Sequence, residues 1–477
     1  MTIDHLPGEV LLEIFDHYLG NFQSKTSLRV WSNNNGWFKL AHVCHKWRSI
    51  VLASPYRLRV LLFFAESSPT RAAVLECPSL AHLRIVVDYS RIVWNASALT
   101  RLNSALRYPN RVVRITINGS CKIFDKVCKA LDQPLPALRS LELHNMKGDV
   151  EPIHQASSLL TSIKSLLNLR LDNVELLSLL PLLSITRALV SLILVVDTLF
   201  WQREGTSVLT HLQRIPRLRD IRVSTRSSLL ENMNKPPITT VLLAELSHLY
   251  FSGQCAEIEW FVAGLTAPSL QRLHISVTES SHTLCIPHLS KFISVSGINF
   301  FAARLSFSRL GLTTSLFARD PHSMKRIVTF RTPTEAQLAS ALSPMLATLE
   351  DVFLCITSLP GFLTRFLLWD VILWRKLFEE FRNVKVLRIH RGLEADVADV
   401  LRQCTVNSSS AQGDMFPSLK EIWVYPRVPV PREEIVNAFA ALGEYVTARK
   451  EVGRPVEMFC GMDGQVPTYH KLPDVGP

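Results

Sequence analysis
The side chains best suited to chemistry in this sequence are arginines set inside apolar runs. Arg84, Arg170, Arg222 and Arg388 each stand between two apolar residues, as do Glu142, Tyr250, His274 and Trp423. Arg114, Asp220, Arg272 and Tyr425 follow at neighbouring positions of the same parity. Basic groups outnumber Glu142 and Asp220 in this set, and the aromatic rings offer stacking area. Guanidinium groups bind carboxylate and phosphate through paired, charge-assisted hydrogen bonds. Arg84, Arg114, Arg170, Arg222, Tyr250, Arg272, His274, Arg388 and Trp423 are therefore candidates for holding an acidic or phosphorylated segment of a target protein. The alternative is that these arginines only keep a solvated surface soluble.

Other chemistry is poorly represented. The chain lacks the phosphate-binding G-x-x-x-x-G-K-[ST], the nucleophile elbow G-x-S-x-G, the zinc motif H-E-x-x-H and an EF-hand loop. His42, Cys44 and His45 come nearest to a metal cluster but have no fourth ligand at suitable spacing. Cys121 and Cys128 are too far apart for a zinc knuckle and read as core thiols. Glu379-Glu380 and Glu433-Glu434 point about 100 degrees apart on a helix, which suits a solvated face better than a glycosidase pair. The chain is read as no enzyme, with no cofactor and no metal.

The elements that would position the arginines come from one recurring phrase. Pro-x-Leu, two residues, Leu or Ile, one residue and another aliphatic appears at Pro78, Pro136, Pro216, Pro268 and Pro417. Versions without proline fall at Val112, Leu166, Leu189, Leu246 and Val384. The first anchors lie at intervals of 23 to 32 residues, which straddles the period of a leucine-rich repeat. Strand alternation sends the aliphatics inward and the residues between them outward. Return segments carry helical spacing, as in Phe366, Leu367, Val371, Trp374, Leu377, Phe378 and Phe381. After Leu289 the phrase becomes irregular, which predicts longer helices or loops. Residues 403 to 416 read as an exposed loop. Pro431 opens a helix with Ile435, Phe439, Leu442 and Val446 on one face, covering the end of the stack.

With 477 residues, 47% hydrophobic and 19% charged, the chain can bury a large core. Charged residues cut the Leu-rich stretch 159–200 below the length of a membrane span. No signal-peptide pattern opens the chain, so the expectation is an intracellular protein of the cytoplasm, the nucleus or both. Nine cysteines without a C-x-x-C pair argue against a disulfide framework. A net charge of +11 favours acidic partners.

Near the N-terminus, Leu6-Pro7 precedes a run in which Val10, Leu11, Ile14, Phe15, Tyr18 and Leu19 recur at helical steps. Pro7 suits the first turn, and Glu9 the positive end of the helix dipole. Leu40, Val43, Cys44, Trp47 and Val51 repeat the spacing. Two helices this short need a partner for their apolar faces. Leu6, Pro7, Glu9, Val10, Leu11, Ile14, Phe15, Leu19, Leu40, Val43, Cys44, Trp47 and Arg48 together resemble the F-box, over about residues 4 to 55. The link from Gly20 to Trp37 is longer than is usual in that family.

The expected architecture is α/β: an F-box-like helical head (1–55), an irregular leucine-rich-repeat solenoid with a C-terminal capping helix (56–450), and a loosely ordered tail (451–477). What the resemblance implies is a substrate receptor of a Skp-cullin-RING ubiquitin ligase. All the head residues just named, Arg48 excepted, would then contact the Skp-type adaptor, and the solenoid would hold the target. Two other classes are a free-standing leucine-rich-repeat scaffold and, ranked behind it, a nucleic-acid-binding protein. A membrane partner is not expected.

Overall fold
The Pro-x-Leu phrase is a β-turn that feeds a strand. In the computed structural model, Leu138 N–H donates to the Leu135 carbonyl (3.0 Å) and closes a turn with Pro136 and Ala137 at its centre. Proline fits the first central position because its fixed φ is the one that position requires. The same closing bond recurs at Leu189, Leu218, Leu246, Leu270, Leu349 and Leu419, at 3.0 to 3.4 Å. Each of these anchor leucines is buried. The next residue starts the ladder: Arg139 N–H donates to the Val113 carbonyl, and the Arg139 carbonyl accepts from both Leu167 and Asn168. The described residues are 5–20, 40, 42–53, 60–63, 83–88, 96–131, 133–145, 164–174, 183, 186–197, 206–226, 240–277, 286–295, 300–308, 311–320, 323–332, 346–356, 371–390, 393–407, 415–425, 432–460 and 470–471.

The fold is α/β and divides into two compact units, 1–196 with 210–218 and 197–209 with 219–477. In the first unit the strands β1 (Val60–Phe63), β2 (Leu83–Asp88), β3 (Val112–Gly119), β4 (Ser140–Asn145), β5 (Asn168–Asp172) and β6 (Ser191–Asp197) pair in parallel, each beside its neighbour in sequence. Parallel neighbours need a crossover, and the helices Ala96–Leu106 and Cys121–Ala130 supply two. Ile123, Phe124, Val127 and Cys128 share the buried face of the second helix. Burial, with Asp125 nearby, pushes the Cys128 thiol up to about 12, as expected of an inert core thiol.

The second unit contains β7 (Asp220–Arg226), β8 (Val241–Leu242), β9 (His248–Gly253), β10 (Leu265–Thr266), β11 (Arg272–Val277), β12 (Phe300–Ser308), β13 (Gly311–Asp320), β14 (Ser323–Thr332), β15 (Asp351–Ile356), β16 (Val386–His390), β17 (Glu421–Tyr425), β18 (Glu457–Cys460) and β19 (His470–Lys471). β7, β9 and β11 pair in parallel, while β8 and β10 form a separate two-stranded pair. Beyond β11 the order reverses. β14 takes the edge of β11, β13 and β12 follow antiparallel, and β15 resumes parallel pairing on β12. β16, β17 and β18 continue in parallel, and β19 closes antiparallel.

Three expectations are corrected here. The irregular stretch after Leu289 holds a three-stranded antiparallel meander, where longer helices or loops were expected. Antiparallel strands joined by two residues need no crossover, so they carry no turn-and-anchor phrase. Of the stretch 403–416 read as an exposed loop, residues 403–407 belong to the helix Glu394–Asn407, Met415 and Phe416 are buried, and 408–414 lie outside the described residues. The tail read as loosely ordered (451–477) contains a strand of four residues, Glu457–Cys460, paired to β17. The helix expected after Pro431 runs from Arg432 to Glu451, with Leu442 and Tyr445 buried. No described helix is long and apolar enough to cross a membrane.

Candidate functional site
Among the described residues the head contains the helices Gly8–Gly20 and His45–Leu52, joined by contacts of the motif residues. The Pro7 carbonyl accepts Leu11 N–H (3.1 Å), so the helix takes up its first bond at the proline. Cys44 caps the second helix, its Sγ accepting Trp47 N–H (3.4 Å). Trp47 packs on Phe15 with ring centroids 4.5 Å apart, and Lys46 Nζ donates to the Leu6 carbonyl (3.0 Å). His42 and His45 are exposed, and no metal-binding group of side chains exists among the described residues.

The apolar stripe of the head splits in two. Leu11, Phe15, Leu40 and Val51 are buried, whereas Val10 (39% exposed), Ile14 (41%), Tyr18 (59%) and Val43 (59%) face solvent. Leu11, Phe15 and Leu40 were expected on the adaptor surface; they turn inward because these helices need one apolar face to hold each other. Pro7 and Glu9 are exposed, and Leu6, Cys44 and Trp47 half-buried. Leu19 lies in the helix, but its side chain falls outside the described residues.

On the first unit's sheet, the arginines are already engaged. Arg114 and Thr116 both donate to Glu142, and Arg170 lies 3.9 Å from Asp172. His144 bridges the two acids, with Nδ1 3.3 Å from Asp172 Oδ2 and Nε2 3.8 Å from Glu142 Oε2. Burial alone would raise the Glu142 carboxyl, but the His144 hydrogen bond and the Arg114 charge hold it down to about 2. Burial would likewise lower the His144 imidazole, yet its bonds to Asp172 and Glu142 outweigh that and raise it. Arg84 is half-buried in the same register row as Arg114.

These opposed shifts set a pH window. Glu142 stabilises the fold above its ordinary 4.5, and that contribution fades as pH falls toward about 2. His144 stabilises below its ordinary 6.5, and its contribution fades as pH rises through the folded value. The network should therefore contribute most between pH 4.5 and 6.5. Holding the Glu142 carboxyl down from 4.5 to about 2 amounts to on the order of 3 kcal/mol. Urea midpoints measured across pH should fall on both sides of this window, and His144→Gln should flatten the alkaline limb. An alkaline limb unchanged in that variant would exclude His144 as its source.

The second unit presents a different row. Arg304, Phe353, Arg388, Trp423 and Phe459 are direct cross-strand partners, so they share one face. The Arg388 Nε donates to both oxygens of Asp351 (3.0 and 3.1 Å) and Nη1 to the Tyr425 hydroxyl (3.3 Å). Trp423 was expected to offer open stacking area, but only 4% of it is exposed. Phe459 from the unforeseen β18 stacks on it at 4.6 Å, and the Arg388 guanidinium sits 5.6 Å from its ring. Arg222 pairs with Asp220 (3.2 Å), Tyr250 stacks on His274 (4.6 Å), and Arg272 is exposed.

Neither the known family models nor the curated proteins match this chain.

Two contributors escaped the sequence reading. Arg304 stands between Ala303 and Leu305, the same apolar-arginine-apolar pattern as its fellows, but in a strand without the anchor phrase. Phe353 is its neighbour on β15, and alternation around Val352 and Leu354 marks it equally.

Proposed function
We propose that this chain is the substrate-recognition subunit of a Skp-cullin-RING ubiquitin ligase. The head, F-box-like in its motif residues, docks on the Skp-type adaptor. The strand-and-turn array, taken as an irregular leucine-rich-repeat solenoid, holds a target protein. Catalysis then belongs to other subunits, and this chain works by bringing the target close.

The observation that carries the reading is the second apolar stripe. Val10, Ile14 and Tyr18, one helical turn apart, stay exposed although Leu11 and Phe15 have already closed the head. Apolar residues clustered on a two-helix surface beside a Leu-Pro start are what an adaptor interface needs. Nucleic-acid binding is the weaker reading, since Arg114, Arg222 and Arg388 are paired with carboxylates and cannot also neutralise phosphates at full strength. Mixing the purified chain with a purified Skp-type adaptor should give a complex that co-elutes on gel filtration. Two separate peaks at micromolar concentration would sink the proposal.

A further inference from the structure
The edge where the first unit's strands begin carries a row of cations. Parallel strands all start on one side of a sheet, so the segments entering β3, β4, β5 and β6 lie side by side. Arg139 N–H donates to the Val113 carbonyl, Leu167 N–H to the Arg139 carbonyl and Val190 N–H to the Leu167 carbonyl, at 2.8 to 2.9 Å. Neighbouring turns also touch: the Ser165 hydroxyl lies 2.8 Å from the Pro136 carbonyl oxygen and 3.0 Å from that of Leu138. Arg107 precedes β3, Arg139 β4, Lys164 β5 and Arg187 β6, and all four are exposed. At one strand spacing per step, the row is about 14 Å long.

No acid neutralises this row. The entry segments 107–111, 133–139, 164–167 and 186–190 contain neither Asp nor Glu. Among the described residues, Arg107, Arg139, Lys164 and Arg187 have no carboxylate partner, whereas Arg114 and Arg170 on the sheet face meet Glu142 and Asp172. The turn that Leu218 closes on Ile215, in the same unit, adds the exposed Arg214 and Arg217. The anchor leucines of the turns are buried, and Tyr108, 38% exposed, is the one exposed large apolar side chain among the described residues of 83–218. The Arg111 guanidinium sits over its ring at 5.2 Å.

That composition selects among acidic partners. A protein segment draws most of its affinity from several buried aromatic or aliphatic anchors, and this edge offers a single tyrosine. A nucleic acid needs only cations along its backbone, and an unpaired base adds stacking on an aromatic ring. We propose that this edge binds the phosphate backbone of a single-stranded nucleic acid, with one base stacked on Tyr108. This activity is additional to the proposed function and does not rest on it. It uses the strand-entry cations and leaves aside the sheet-face arginines that carboxylates already engage.

The probe is a short fluorescein-labelled oligouridylate, titrated with the full-length chain and followed by anisotropy at several salt concentrations. Four phosphate contacts to a single strand predict a log-log salt slope of about −3. Changing Arg139, Lys164 and Arg187 together to Gln should bring the slope to about −1 and weaken binding about tenfold or more at about 0.1 M salt. Tyr108→Ala should bind about fivefold more weakly with the slope kept. Lys122, Lys126 and Lys129 are exposed on the helix Cys121–Ala130, and changing these to Gln removes the same charge elsewhere and should leave the slope as it was. Circular dichroism checks the folding of each variant, and Arg187→Gln alone, with a slope lower by about 0.7, replaces the edge variant if that one unfolds.

The proposal is overturned by any of four results: no saturable binding by the wild type, equal losses in the edge and helix variants, tighter binding of the matching duplex, or displacement of the oligonucleotide by a lower concentration of a peptide of alternating glutamate and alanine. Adaptor binding is scored on the same preparations. A chain that captures the adaptor but no oligonucleotide removes this inference alone, and the converse removes the ubiquitin-ligase reading alone.

Discussion
Replacing Ile14 by aspartate is expected to abolish capture of a Skp-type adaptor while leaving the unfolding of the chain unchanged. Ile14 sits at the middle of the exposed stripe, between Val10 and Tyr18, and is 41% exposed. Burying such a side chain on binding contributes about 2 kcal/mol, and a central interface residue commonly costs that much or more when removed. Aspartate adds the penalty of desolvating a charge, so affinity should fall at least about 30-fold. An exposed position away from caps and ion pairs changes folding stability by only about 0.5 kcal/mol. Leu11→Ala is the counterpart. Leu11 is fully buried, and such a truncation costs about 2 to 5 kcal/mol. It should lose adaptor and head stability together. Calorimetric titration beside thermal unfolding separates the two, and an Ile14→Asp variant with wild-type affinity would mean that the adaptor does not use this stripe.

The contrast between Ile14 and Leu11 marks how far the sequence could be read. Helical spacing places both on an apolar arc of one helix, and nothing in that spacing says which part faces the second helix. The partner's position decides it, and that is tertiary information. Strand positions were easier, because a period of two leaves only two faces: Leu141 and Leu143 are buried, and Glu142 is turned to the other side. The anchor phrase was legible for the same local reason, as proline in a β-turn and the buried leucine after it act within four residues.

What was not legible depends on residues far apart in the chain. Trp423 occupies the outward parity that alternation assigned to it, yet Phe459, which reaches it only through β18, covers its ring. Arg114 and Arg388 also face outward as read, but their charges are met by Glu142 and Asp351 from neighbouring strands. Parity says where a side chain points; register says what it meets. The meander β12–β14 was missed because its antiparallel pairing replaces the crossover whose turn gives the phrase its proline and leucine.

Gly253→Ala is expected to destabilise the second unit by on the order of 3 to 5 kcal/mol, although it adds only one methyl group. Gly253 ends β9 where the chain passes a buried carboxylate. Glu257, 1% exposed, accepts the Thr225 hydroxyl and the Gln254 N–H (3.0 Å), the latter as part of the capping box that starts the helix Cys255–Ala263. A Cβ on residue 253 would lie well inside contact distance of Thr225 Oγ1, 2.7 Å from Glu257 Oε2 and 3.1 Å from Phe251 Cε1. None of these can yield cheaply. Moving Thr225 or Glu257 breaks a hydrogen bond to a buried acid, at about 1 to 3 kcal/mol, and overpacking costs a similar amount. Thr225→Ala removes both the clashing oxygen and its hydrogen bond, so the double variant should cost clearly less than the sum of the single ones. Hydrogen exchange of the amides in Cys255–Ala263 gives the local readout, since loss of the capping box should speed it in Gly253→Ala. Unchanged exchange together with a wild-type urea midpoint would mean that the backbone does not approach Glu257 this closely.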